Sequence, residues 1–199
     1  MKKAILKMTS VFVVLVFILS TNAYANQANK KLKSEKSTVK WLGKKVTGEH
    51  SGTIKIKKGH LVFKDDQLEK GTFVVDMTSI VNTDIKDEGY RAKLVGHLKS
   101  DDFFGVEKYP EAKFELVKAK KLSDGKYEVH GDVTIKGITK PIRFNVEMKN
   151  HGDELHVSGK IVIDRSKFDV RYGSGSFFDN LGDKTIYDDF ELHLDLYLQ

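Results

Sequence analysis

Apolar and polar residues alternate along most of the chain from residue 38 to residue 199. The last segment shows this most clearly, because every second position is apolar: Phe190, Leu192, Leu194, Leu196 and Leu198. A period of two places such residues on one face of a β-strand and the residues between them on the other. Earlier segments repeat the pattern between turn sequences such as Ser123-Asp124-Gly125. The pattern predicts an all-β domain of about eight antiparallel strands, closed as a barrel or folded as a sandwich.

One stretch, residues 91–114, interrupts the alternation. At its start apolar residues recur at the four-residue spacing of a single helix face: Tyr90, Leu94 and Leu98. Phe103 and Phe104 follow as an adjacent pair, and an extended backbone would point their rings in opposite directions, one into the barrel wall and one into an internal space. We therefore predict a short helix that closes the end of the β core or covers or lines a cavity within it.

The N-terminal 25 residues have the three parts of a secretory signal peptide. Lys2 and Lys3 begin the chain, an apolar run covers residues 11–19, and Ala23-Tyr24-Ala25 supplies small residues for cleavage. The chain has no cysteine, so a lipid-modified N-terminal cysteine and disulfides are both ruled out. We predict a signal peptide over 1–25, a flexible leader over 26–37 and one domain over 38–199, exported without a stable membrane anchor.

Charge and motifs exclude several classes of function. Three of the lysines behind the formal net charge of +6 lie in the predicted signal peptide, and the remaining basic residues are scattered among acidic ones. A nucleic-acid interface needs a clustered basic face, so none is expected. The sequence contains no phosphate-binding loop, nucleophile elbow or metal-ligand spacing among its seven histidines. We therefore expect no metal, no cofactor and no enzymatic activity.

Two polar residues remain as candidates for contact with a ligand. His97 lies near the end of the predicted helix, where it either interacts with the helix dipole or contacts a ligand. Arg165 follows an apolar run and either pairs with a local carboxylate or faces a polar group of a ligand. The residues themselves leave both choices open.

Four sequence blocks resemble the YceI-like family of bacterial lipid-binding proteins. They are SDDFFGVEKYPEAKF (100–114), GDVTIKGITKPIRF (131–144), IDRSKFDVRYG (163–173) and DNLGDKTIYDDFEL (179–192). The resemblance implies an extended, lipocalin-like antiparallel barrel in the periplasm, with an internal tunnel for a polyisoprenoid such as a quinone or a polyprenyl phosphate. It also implies that the protein could form a homodimer.

Together with the inward faces that the alternation predicts, the resemblance indicates two sets of site residues. The expected tunnel lining is apolar: Phe73, Val75, Leu94, Leu98, Phe103, Phe104, Phe114, Val133 and Phe168. The expected contacts to the polar head are Arg91, His97 and Arg165. The function predicted is that of a carrier or reservoir for the lipid.

Two alternatives to a lipid carrier stay open from the sequence. One is a lipid-modifying enzyme that uses Arg91, His97 or Asp164 for acid–base chemistry at the barrel mouth. The other is an envelope stress protein whose core is filled by its own side chains and binds no lipid.

Overall fold

A computed structural model describes residues 27–199, and these residues form nine strands and one α-helix. The elements in chain order are β1 (Gln27–Lys31), β2 (Thr38–Lys45), β3 (Gly48–Lys64), β4 (Gln67–Asn82), α1 (Glu88–Lys99), β5 (Glu111–Ser123), β6 (Lys126–Ile135), β7 (Ile138–His151), β8 (Glu154–Asp164) and β9 (Ile186–Leu198). Two short 3₁₀ turns, Arg165–Phe168 and Gly182–Lys184, lie between β8 and β9. The predicted signal peptide lies outside the described residues.

Strands β2 to β9 form a closed barrel. Each strand pairs antiparallel with the next, and β9 returns to pair with β2 along Thr38–Lys45. Closure pairs both sides of the sheet and leaves no long free edge. The prediction of an all-β, lipocalin-like barrel of about eight strands with one short helix is confirmed.

The ninth strand, β1, lies where a flexible leader was expected. It pairs with the end of β3 from His60 to Lys64, and Leu32 continues the pairing to Leu198. The pairing of β2 with β3 stops at Val39 and Ile54, so the far end of β3 needs another partner on that side. Backbone groups at such an edge are stabilised when a further strand satisfies them. Because this segment is mostly polar, it lacks the apolar alternation that marks the other strands, and the sequence did not predict a strand there.

The inward face of β9 is the one that the alternation predicts. Leu192 and Leu194 point into the barrel, whereas His193 between them is exposed. Leu198, at the end of the strand, is fully buried. The register of the last strand therefore follows from the sequence pattern alone.

The predicted short helix is present as α1, although none of its residues is buried. Tyr90 is 67 % exposed, and Leu98 alone in the helix packs against the hydrophobic core. The Asp87 side chain caps the helix by accepting a hydrogen bond from the Tyr90 N–H at 2.8 Å, and the Lys99 ammonium donates to the Thr78 carbonyl at 2.6 Å. The helix therefore lies against β4, with Leu98 directed toward the barrel interior.

A bulge in β4 creates the place that α1 and the following turn cover. The pairing of β3 with β4 jumps from Lys55 opposite Asp76 to Thr53 opposite Val81, so residues 77–80 leave the regular ladder. The Asp76 carboxylate accepts hydrogen bonds from the Thr78 N–H and hydroxyl at 2.9 and 2.6 Å, which stabilises the bulge. Bulges often occur at barrel rims, where they redirect side chains. Here the bulge lies beside the end of α1, since the Lys99 ammonium donates to the Thr78 carbonyl.

Candidate ligand-binding cavity

The barrel encloses an apolar cavity of about 210 Å³, whereas a single water molecule needs only ~10–15 Å³. It extends from Leu98 and Phe104 at the helix end to Leu61 and Leu196 at the other end. Along β9 the lining runs from Ile186 to Leu196, about 33 Å of strand, which a strand tilt near 40° reduces to ~25 Å along the barrel axis. The shape is that of a long, narrow tunnel.

The barrel interior is not filled by its own side chains. Several inward residues are only half-buried although they point away from solvent, among them Phe114, Phe144 and Leu194. Their remaining exposed area faces the cavity. By contrast, Leu198 at the closed end is fully buried. An envelope protein whose core is filled by its own side chains would have no such long central space with apolar walls.

Most of the predicted tunnel residues line this cavity. Seven of the nine do so: Phe73, Val75, Leu98, Phe103, Phe104, Phe114 and Val133. Leu94 and Phe168 do not line it. Leu94 lies on α1, outside the barrel wall, whereas Phe168 is 2 % exposed and packs in the hydrophobic core from the 3₁₀ turn after β8.

Phe103 and Phe104 both line the cavity, contrary to the prediction that they point in opposite directions. Their backbone is a turn rather than an extended strand, with the Phe103 N–H donating to the Ser100 carbonyl at 3.0 Å and Gly105 at a φ of 56°. The two rings meet edge to face at 5.1 Å, and Phe104 also contacts Phe190 on β9 at 6.2 Å. A turn removes the alternation of side chains on which the prediction rested.

The three predicted polar contacts lie in different places. Arg91 is outside the cavity, where its guanidinium pairs with Glu88 at 3.3 Å and donates to the Ile85 carbonyl at 3.3 Å. His97 also lies behind the lining, with its ring edge to face against Phe103 at 5.7 Å and Tyr172 at 4.2 Å. Of the three, only Arg165 is part of the cavity wall.

Arg165 is held almost entirely by backbone carbonyls. It is 2 % exposed, and its guanidinium donates to the carbonyls of Val170, Tyr172, Ile186 and Tyr187 at 2.9–3.2 Å. The Asp188 carboxylate lies 3.4 Å away from it. Burial lowers the pKa of Arg165, and the nearby Asp188 charge opposes this effect. The four hydrogen bonds join the loop carbonyls of Val170 and Tyr172 to the first two carbonyls of β9, and Asp188 adds an ion pair without a hydrogen bond.

The guanidinium of Arg165 also lies over the Phe103 ring, 5.3 Å from its centre. A cation over an aromatic face is attracted by the ring quadrupole. Arg165 and His97 therefore both contact the Phe103 ring. The main partners of Arg165 within the chain are carbonyls, and its contact with a ligand stays a prediction. Asp164, the neighbouring carboxylate, instead accepts from the Ser166 N–H at 3.0 Å.

The cavity wall offers no free charged group to a ligand. Its 35 residues include two charged ones, Lys113 and Arg165. Lys113 lies at an exposed position of β5, where its ammonium pairs with Glu115 at 2.8 Å. Whatever is buried in this space must be uncharged, since an unpaired charge in an apolar environment is strongly disfavoured.

Sequence reasoning missed part of the lining. Trp41 on β2, Phe144 on β7 and Ile186 on β9 also face the cavity. The alternation of apolar residues along their strands could have identified the first two. Ile186 lies on the same face of β9 as Phe190, but Asp188 between them interrupts the apolar series and hid this position.

Two kinds of site are absent from the part of the chain that the structure describes. Within residues 27–199, no group of three or more His, Asp or Glu side chains is arranged to hold a metal ion. Over the same range, no helix has the length and hydropathy required to cross a bilayer.

Comparison with known proteins gives consistent matches. A family model described as the YceI-like domain matches residues 31–198. A UPF0312 protein of Photorhabdus laumondii is 40 % identical over 88 residues, which cover 40 % of this chain and 45 % of that protein. The chain thus aligns with about half the length of that curated relative.

Two solved structures share the fold. BcnA of Burkholderia cenocepacia superposes with a TM-score of 0.68 at 23 % identity, covering 83 % of this chain and 98 % of BcnA. A domain of Saccharophagus degradans described as polyisoprenoid-binding superposes with a TM-score of 0.61 at 14 % identity, covering 87 % of this chain and 99 % of that domain. At these identities the similarity establishes a shared fold.

Proposed function

Because this chain belongs to the YceI-like family, we propose that it is an exported binding protein whose barrel holds the apolar chain of a polyisoprenoid or a similar amphiphilic lipid. The observation that carries the proposal is the long cavity with apolar walls and no free charge. A chain of isoprene units has the matching shape and chemistry. The polyisoprenoid-binding description of the Saccharophagus degradans neighbour supports the same class of ligand.

Tail burial supplies ample binding free energy. Each buried methylene contributes about 0.8 kcal/mol, so a five-carbon isoprene unit contributes roughly 3–4 kcal/mol before costs. A few units then exceed the several kcal/mol lost in association and ordering. We infer that the tail determines affinity. The polar head then remains at the helix end of the barrel, near His97 and Arg91, because the Arg165 donors are already occupied by carbonyls.

The same geometry favours binding over catalysis. Asp164 is engaged with Ser166, His97 lies behind Phe103, and Arg91 is outside the barrel. These three groups do not converge on a common point of the cavity, so they offer no acid–base pair to a lipid within it. We therefore propose a carrier or reservoir.

A cavity-filling substitution tests the proposal. Leu192→Trp adds an indole to the inward face of β9, and His193→Trp adds the same group on the outward face as a control. We expect native mass spectrometry to find a polyisoprenoid on the wild-type protein and on His193→Trp, and at least about tenfold less on Leu192→Trp, with similar melting temperatures. Equal lipid on both variants, or none on the wild type, would contradict the proposal.

We also propose that the protein acts in the periplasm after removal of residues 1–25. The basic start, short apolar run and Ala23-Tyr24-Ala25 support this. N-terminal sequencing of protein from a periplasmic extract should begin at Asn26. Retention of Met1 would overturn the export proposal and leave the cavity proposal intact.

A further inference from the structure

Exposed apolar side chains concentrate at one end of the barrel. Among residues 27–199, ten large hydrophobic side chains are exposed, and five of them belong to the turn between β2 and β3, to the segment that leads into β9 or to the start of β9. We call these five the aromatic rim: Val46, Tyr172, Phe177, Phe178 and Tyr187, which are 39–51 % exposed. Phenylalanine on the surface is uncommon, and a contiguous group of such residues indicates a binding surface.

Hydrogen bonds join the segments of the rim. The Val46 N–H donates to the Thr185 carbonyl at 3.1 Å, and the Ile186 N–H donates to the Gly173 carbonyl at 2.8 Å. The Phe177 and Phe178 N–H groups both donate to the Ser174 carbonyl, at 3.2 and 3.1 Å. The backbone segments that carry the five side chains are therefore joined at the same end of the barrel.

The rim is held in place by the buried polar residues beneath it. Arg165 binds the carbonyls of Tyr172 and Tyr187, two rim residues, at 2.9 and 3.2 Å. Ser174 is fully buried, and its hydroxyl accepts from the Ser176 N–H at 3.1 Å. The rings are thus presented by an ordered loop.

The rim adjoins the helix end of the cavity. Tyr187 and its neighbour Ile186 line the cavity wall. Tyr172 packs on His97 at 4.2 Å, and His97 packs on the cavity residue Phe103. Apolar surface therefore continues from the outside of the barrel to its interior.

The rim is too small to support a stable dimer by itself. Five half-exposed side chains of this size offer about 400–500 Å², whereas a stable interface buries ~800 Å² on each partner. A patch of this area is sufficient for shallow insertion into a lipid surface, and Tyr and Phe rings favour the boundary between headgroups and acyl chains.

Charges around the rim are nearly balanced. Asp188 pairs with Arg165. Tyr172 and Phe178 share a surface pocket with Asp101, Asp102 and Lys136, so these charges also border the rim. The other charged residues around it are Asp169, Asp179, Asp183, Asp189, Lys44, Lys45, Arg171 and Lys184. Six acidic and five basic residues give no net attraction to an anionic surface, so the rim suits the neutral surface of zwitterionic lipid.

We propose that the aromatic rim docks on a zwitterionic lipid bilayer, so that the apolar ligand passes between membrane and cavity without crossing water. This inference rests on the proposed function, since it concerns how the same cavity is loaded. It assigns the rim a role separate from ligand binding within the barrel.

The test compares docking with binding. Phosphatidylcholine vesicles containing solanesol, an uncharged polyprenol, are mixed with wild-type protein, with the double variant Phe177→Ser/Phe178→Ser, and with the control Val117→Ser/Val162→Ser on the barrel wall. We expect wild type and control to co-sediment with vesicles and extract solanesol. The rim variant should lose at least about tenfold in both, because two inserted rings are removed. It should still take up solanesol added from ethanol as well as the wild type does.

Other outcomes would contradict the docking proposal. Extraction by the rim variant at the wild-type rate would overturn it, as would vesicle binding that disappears in high salt. Self-association through the rim without vesicle binding would assign the surface to a second copy of the chain. If no protein takes up solanesol from ethanol, the proposed function fails for this lipid, while vesicle sedimentation still decides whether the rim docks.

Discussion

Replacing Arg165 by methionine is expected to lower the free energy of unfolding by about 3–5 kcal/mol. The change leaves the carbonyls of Val170, Tyr172, Ile186 and Tyr187 without their donor, and each buried unsatisfied group costs about 1–3 kcal/mol. It also leaves Asp188 without its nearby positive charge. Because methionine keeps most of the side-chain volume, the loss would come from polar groups rather than from a cavity. Urea unfolding measures the effect.

The matched control is Arg143→Met on the outer face of β7. Its side chain is 67 % exposed and lies 3.9 Å from Glu128, so this substitution should change stability by less than about 0.5 kcal/mol. Arg165→Lys separates charge from geometry, because an ammonium has three donors for the four carbonyls. Lysine should recover only part of the stability. A lysine variant as stable as the wild type would show that charge alone is required and would contradict the carbonyl-anchoring role.

Replacing Leu194 by aspartate is expected to destabilise the protein by at least about 3–5 kcal/mol at neutral pH. Leu194 faces the cavity, and its neighbours across the sheet are Val39 and Gly159, so an aspartate there would have no cationic partner. Burial disfavours the charged form and raises the pKa of the new carboxyl group above its value in the unfolded chain. Chemical unfolding at several pH values measures both the size and the pH dependence of the effect.

The sign of the pH dependence follows from the raised pKa. Below the pKa of the unfolded chain the carboxyl is neutral in both states, and the deficit relative to the wild type is smallest. As pH rises, the unfolded state loses its proton first, so the deficit grows until the folded-state pKa is passed. His193→Asp is the control, since His193 is exposed between Lys40 and Lys160 on the neighbouring strands. Equal effects of the two substitutions would mean that the register of β9 is shifted by one residue.

Alternating apolar residues were enough to predict the barrel strands and their inward faces. In β9 the choice of face is a local property, because successive side chains of a strand point in opposite directions and one set is apolar. The same alternation, together with the family blocks, indicated seven cavity residues, including Phe114 and Val133. Turn residues such as Gly125, at a φ of 69°, marked the hairpins.

Features that depend on distant parts of the chain were not predictable in this way. The segment Gln27–Lys31 is a strand because β3 extends beyond β2 and offers unpaired backbone groups. Phe103 and Phe104 face the same way because the backbone turns after α1. Helix α1 packs against β4 and directs only Leu98 toward the cavity.

The sequence by itself therefore determined which residues form the barrel strands β2 to β9, which face of each is apolar, and the family to which the chain belongs. Only the tertiary structure decided that Arg165 is bound by two carbonyls of the loop between β8 and β9 and two of β9 itself, and that five exposed side chains lie at the helix end of the barrel. The physical reason is the range of the interactions. Strand pattern arises between residues two positions apart, whereas the partners of Arg165 lie up to 22 residues along the chain, where β9 pairs with β8, and the rim joins Val46 to Thr185 where β9 pairs with β2.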